Sequence, residues 1–152
     1  MAKKILVCLD GSEQAERILP YATEQALQFD GKLILFRVSN VMPMAIYSSA
    51  HEQMRIISPG MTETAIQGNL DHATVYLSNI ARALTEQGVK VDVATVVGPL
   101  SQSILKFIKD NGIDMVTMTT HAYRGWKRVL YGSAVEEIIH KCSIPVLVVN
   151  PS

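Results

Sequence analysis

Short aliphatic runs alternate along this chain with stretches whose apolar residues recur every three or four positions. "KILVCL" (Lys4 to Leu9) is one such run, closed by Asp10-Gly11-Ser12, and it reads as a buried strand ending in a turn. From Ser12 the period changes: Ala15, Ile18, Leu19, Ala22, Ala26 and Phe29 share one helical face, and "FDGK" stops the pattern. "KLILFRV" is a second strand, and Leu70, Ala73, Leu77, Ile80, Ala81 and Leu84 mark a second helix ending around Gly88. "KVDVATVV" is a third strand, and "GPL" leads into a helix with Ile104, Leu105 and Ile108 inward. "DMVTMT" and "IPVLVV" are the fourth and fifth strands, joined by a helix whose inner face holds Val135, Ile138 and Ile139.

Strands this short and this continuously apolar need cover on both sides. Alternation with helices then implies parallel pairing, right-handed crossovers and helices on both faces: a doubly wound, Rossmann-like α/β domain occupying residues 1–152 as one unit. One connection is too long for that scheme. Ser39 to Met61, "SNVMPMAIYSSAHEQMRIISPGM", is either a lid over the carboxyl ends of the strands, a partner surface, or a loosely packed variable loop.

Charge narrows the partners. Fourteen Lys and Arg balance fourteen Asp and Glu, so nothing marks an extended nucleic-acid or acidic-lipid surface, and any anion site is local. No apolar run of membrane-spanning length is present, and "MAKKILVCLD" enters the first strand directly, without a signal-peptide core, so the cytoplasm is the expected compartment. Cys8 and Cys142 lack the spacing of a zinc site with His51, His72, His121 or His140, and read as buried small hydrophobes.

In an open parallel sheet, ligands bind beyond the carboxyl ends of the strands. That edge presents Asp10-Gly11-Ser12, Val38-Ser39, Gly98-Pro99 and Thr119 to Ala122. Asp10 is placed to accept from a ribose hydroxyl or to meet a Mg²⁺ carried by phosphates; equally, with Ser12, it caps the first helix. Ser133 and Glu136 have capping-box spacing, and Gly132 before them leaves backbone N–H groups for a phosphate or simply opens a helix. Arg124, Lys127 and Arg128 are either a supplement to that site or a solvated face, and Trp126 is expected to pack the loop onto the domain.

These residues resemble the universal stress protein family over essentially the whole chain. "KILVCLDGSEQAERILPYA", "LILFRV", "VVGPLSQSILKFI" and above all "DMVTMTTHAYRGWKRVLYGSAVEEIIHKCSIPVLVV" carry the resemblance. It implies strand order 3-2-1-4-5, a cytoplasmic homodimer joined through the last strand (Pro145 to Val149), and a role in stress survival. It also implies ATP or AMP binding through Gly, two residues, Gly, nine residues, Gly, then Ser or Thr. Here that motif runs Thr119, Thr120-His121, Ala122, "YRGWKRVLY", Gly132-Ser133: the spacing and final pair are kept, and the first two glycines are replaced. Ala122 adds a Cβ, costing roughly 1 kcal/mol if φ is positive there. Cys8 stands where nucleotide-binding relatives often have Pro. Carried over by resemblance are Asp10 for ribose or metal, Val38 for adenine through its backbone, and Thr119, His121, Ala122, Gly132 and Ser133 around the phosphates.

Two functions follow: a regulator that binds ATP or AMP, with or without Mg²⁺, or a nucleotide-free dimeric interaction protein with a degenerate phosphate loop. Catalytic turnover is not expected, since "LDGSEQ" has neither a Ser-Gly-Gly phosphate loop nor paired histidines, although slow ATP hydrolysis is compatible with binding.

Overall fold

The computed structural model describes residues 3–39, 59–120 and 130–150. In chain order the elements are β1 (Lys4–Cys8), α1 (Glu13–Glu16), α2 (Leu19–Gln28), β2 (Lys32–Ser39), α3 (Pro59–Glu86), β3 (Lys90–Val97), α4 (Leu100–Asn111), β4 (Met115–Thr119), α5 (Leu130–Lys141) and β5 (Val146–Val149). The five strands form one sheet in the order β3-β2-β1-β4-β5, every pairing parallel. The expected doubly wound architecture and strand order are both present.

Burial on both faces explains the aliphatic strands. Side chains alternate along β1, so Ile5, Val7 and Leu9 pack with Leu33, Leu35, Ile18, Ala22, Leu77 and Leu84 on the face covered by α1, α2 and α3. Leu6 turns the other way, joining Ile34, Phe36, Val116 and Met118 beneath Ile104 of α4 and Val135 and Ile138 of α5. Phe36 meets Phe107 with ring centroids 4.5 Å apart. One polar group inside this sheet is paired: Thr117 donates its hydroxyl to the Leu6 carbonyl at 3.0 Å.

Helix boundaries depart from the sequence expectation in four places. The first helix is two, α1 and α2, because Pro20 has no N–H to give to a continuous ladder and its ring would crowd the preceding turn. Phe29, expected inside, caps the end of α2 and is 46% exposed. α3 runs for 28 residues from Pro59, well before Leu70, so the end of the long Ser39 to Met61 connection is helical. Proline is well suited to open a helix, since its missing N–H would have no partner there; residues 40–58 lie outside the described part. In α5, Ile139 points outward at 49% exposure, because Val135, Ile138 and Cys142 define the inner stripe and Ile139 is rotated about 100° from Ile138.

α4 ends on Gly112 in the left-handed region (φ 61°), whose N–H bonds to the Ile108 carbonyl. A Cβ is costly in that conformation, so the turn into β4 depends on glycine.

The core predicts a direct test. Leu77→Ala, at a fully buried α3 position, should lower unfolding free energy by about 2–5 kcal/mol, read in denaturant titration as a lower midpoint at unchanged slope.

Candidate functional site

The carboxyl ends of β1, β2 and β4 converge between α4 and α5. β1 runs out into Asp10-Gly11-Ser12, where Asp10 Oδ1 accepts from the Ser12 backbone N–H at 2.9 Å and from the Ser12 hydroxyl at 2.6 Å. Ser12 Oγ accepts in turn from the Ala15 N–H at 3.1 Å and is the N-cap of α1. The capping role is therefore filled, by Ser12 directly and by Asp10 as its brace. Only one carboxylate oxygen is spent on it. Among the described residues Oδ2 accepts no hydrogen bond.

Beside Asp10 lies a cavity of about 40 Å³, bounded by Cys8, Val38 and Met118 from the strands and by Ile104 and Val135 from the helices. Cys8 and Val38 were singled out by the sequence; Met118 and Ile104 were not, since nothing in an apolar residue's local sequence tells a cavity wall from a core position. Burial pushes the Cys8 thiol up to about 12, so it stays protonated at neutral pH.

Thr119 does not face this cavity. It follows Met118 on β4, and alternation sends its side chain to the opposite face, 1% exposed, with its hydroxyl unpaired among the described residues. His121 and Ala122 lie outside the described residues. Gly132 and Ser133 belong to the backbone of α5, which begins at Leu130, so Ser133 is inside the helix rather than capping it as a capping box would require. Gly132 still falls in the first turn, whose N–H groups have no partner within the helix and sit at its positive end.

α4 and α5, which both wall the cavity, are fastened to each other. Ser101 donates to Glu137 Oε1 at 2.7 Å and Lys141 to Oε2 at 3.1 Å. The Ser101 hydroxyl first, and then the Lys141 ammonium, hold Glu137 below the usual carboxylate range.

On the other side of the turn, Tyr76 of α3 donates its hydroxyl to Glu16 Oε2 at 2.6 Å, and Arg37 lies over the Tyr76 ring, 5.5 Å from its centroid. A cation inside the aliphatic run "KLILFRV" was the sequence signal for this cluster. A larger groove of about 840 Å³ runs between α2 and α3, lined by Leu19, Leu27 and Ile80 with Glu16 and Glu24 among its polar members. Among the described residues no set of His, Cys, Asp or Glu is grouped to hold a metal, and no helix is long and apolar enough to cross a membrane.

An open parallel sheet with helices on both faces, and with a carboxylate, a small apolar cavity and a helix first turn at its carboxyl edge, defines an α/β protein of the doubly wound class. The model of the universal stress protein family matches residues 1–150, and the chain belongs to that family. Universal stress protein MJ0531 of Methanocaldococcus jannaschii is 27% identical over 148 residues, 97% of this chain and 82% of its own length. The solved structure of MJ0577 is 31% identical at a TM-score of 0.75, covering 99% of this chain and 96% of that one. Three more distant structures share the fold: a universal stress protein with cAMP (18% identical, TM-score 0.62), one from Archaeoglobus fulgidus with dAMP (15%, 0.60) and one from Arabidopsis thaliana with AMP (14%, 0.60). Each covers 97–99% of this chain and 91–98% of its own.

The site makes two predictions. Cys8 should resist alkylation at pH 8 in the folded protein and react on unfolding, followed by intact mass. Ser101→Ala should lower the melting temperature at pH 7, and the gap from the parent should close in acid. A carboxyl with a depressed folded pKa stabilises above its ordinary pKa and loses that contribution as pH falls through the folded value.

Proposed function

We propose that this universal stress protein is a regulator that binds an adenine nucleotide, ATP or AMP, at the carboxyl edge of the sheet. The observation that carries the reading is Asp10 lining the Cys8–Val38–Met118 cavity, with an Oδ2 that accepts no hydrogen bond among the described residues. Support comes from relatives of the same fold that hold cAMP, dAMP and AMP. In this reading the adenine enters beside Val38, whose backbone it bonds, the ribose hydroxyls meet Asp10, and the phosphates lie at the first turn of α5 near Gly132 and Ser133. Thr119 contributes through its backbone, since its hydroxyl is turned to the other face. A Mg²⁺ arrives with the phosphates, indirectly bound through Asp10. The one thiol lining the cavity among the described residues, Cys8, stays protonated; in this reading the nucleotide acts as a signal, and hydrolysis is at most slow. The protein works in the cytoplasm as a homodimer joined through Pro145 to Val149.

One observation favours the alternative, a nucleotide-free dimeric interaction protein. The cavity measures about 40 Å³, against roughly 300–1,000 Å³ for small-molecule sites. Nucleotide entry therefore has to widen it.

Small molecules released by denaturing the purified protein, identified by mass spectrometry, give the first test. Titration with ATP-Mg²⁺ and with AMP should then raise the melting temperature with ligand concentration, the stabilisation approaching about 2.7 kcal/mol at a hundredfold excess over Kd. Gly132→Val, which crowds the phosphate end, should abolish the shift. No released nucleotide and no shift at millimolar ligand would leave the nucleotide-free reading standing.

A further inference from the structure

Arg37 is a half-buried cation that forms no ion pair among the described residues. It precedes Val38 on β2, and alternation places it on the α1–α3 side of the sheet, across the Asp10-Gly11-Ser12 turn from the cavity. Two contacts fix its guanidinium. One face lies on the Tyr76 ring, itself tethered by the hydroxyl bond to Glu16. The other rests against Gly11, where an added Cβ would stand 3.1 Å from Nη1 and 3.3 Å from Cζ; Gly11 also has φ +90°. Both facts exclude a side chain at position 11, and they set the guanidinium against the backbone next to Asp10.

Among the described residues no carboxylate lies within ion-pair distance of Arg37. The ion pairs among the described residues occupy Lys32, Lys90, Lys106 and Lys141, and Glu16 spends Oε2 on Tyr76. Burial, and then the hydrogen bond to Glu16, raise the Tyr76 hydroxyl's pKa, so it remains a donor at physiological pH. A partly desolvated guanidinium held by a cation–π contact alone keeps its hydrogen-bond fork unspent.

We propose that Arg37 receives a second phosphate, so that the favoured ligand is an adenine nucleotide phosphorylated on a ribose hydroxyl as well as at the 5′ position. The inference rests on the nucleotide reading above and adds the ligand class. Asp10 Oδ2 takes one ribose hydroxyl, and a phosphate on the neighbouring hydroxyl extends over Gly11 to the guanidinium. Dinucleotide-binding folds use the same two groups as alternatives, an acid for a free ribose hydroxyl or an arginine for a ribose phosphate; here one of each stands at a single turn. Gly11 is then required twice, for its backbone angle and for letting the guanidinium lie directly against the turn beside Asp10.

Isothermal titration of the full chain with AMP, adenosine 2′,5′-bisphosphate and adenosine 3′,5′-bisphosphate tests this. One bisphosphate should bind at least about tenfold more tightly than AMP, as a charge-assisted contact implies. That ratio should fall towards one in Arg37→Gln. Arg37→Lys, which keeps the charge but loses the fork, should lose most of the advantage too and serves where the glutamine variant does not fold. AMP binding without preference for either bisphosphate would overturn the inference and leave the nucleotide reading intact, whereas failure of all three ligands to bind would overturn both. A preference that survives Arg37→Gln would place the second phosphate elsewhere and equally refute the assignment.

Discussion

β1 is paired on both edges and buried on both faces, and the rest of the molecule follows from that double enclosure. A strand with no solvent side cannot alternate apolar with polar residues, so Ile5, Leu6 and Val7 are all fully buried, and each layer of helices exists to cover one of its faces. Parallel neighbours on both edges force long crossovers, and every crossover departs from the same end of the sheet. The chemistry is concentrated at that end because the backbone there is released from the ladder. Asp10 sits where β1 first meets polar surroundings, and its position is dictated by enclosure of the residues before it.

Enclosure also separates what the two faces can offer. Residues of even and odd number leave the strands on opposite sides, so Cys8, Val38 and Met118 reach the α4–α5 side while Arg37 and Thr119 reach the α1–α3 side. Thr119 shows the consequence. A motif read along the chain places it with Gly132 at one ligand, but a single step of the pleat turns its hydroxyl to the other face, and only its backbone stays at the site. Sequence spacing identifies which turns meet. It does not identify which side of the sheet a side chain serves.

The legible parts of the fold were those set by continuous burial or by a residue with few conformational options. The five aliphatic runs all became strands, and the Asp-Gly-Ser turn and the glycine just past α3, Gly88, lie where composition placed them. Helix limits were less legible, because the sheet stabilises only the covered part of a helix. The apolar period of α3 became visible at Leu70, although its backbone turns begin at Pro59. The pause between α1 and α2 was written in Pro20, yet the apolar face continues through it and hides the break. At the site, Asp10 and Val38 were accessible to sequence reasoning through their place at strand ends. Met118, Ile104 and the Ser101–Glu137 fastening were not, since each depends on two distant segments meeting.

Asp10 and Arg37 stand on either side of a glycine without forming an ion pair, and this separation has energetic meaning. Had the two joined, each would have satisfied the other's desolvation and the edge would be electrostatically closed. Instead Asp10 turns one oxygen back into the α1 cap, and Arg37 is retained by an aromatic ring that accepts its charge without using its donors. Two opposite charges are thereby kept apart by contacts that leave each with unused hydrogen-bonding capacity. A ligand that brings both a hydroxyl and an anion to this edge completes both, whereas water alone must do so incompletely in a half-buried turn. Under the proposed reading, the arrangement favours a ligand of mixed polarity at the end of β1, which the surrounding apolar cavity by itself would not select.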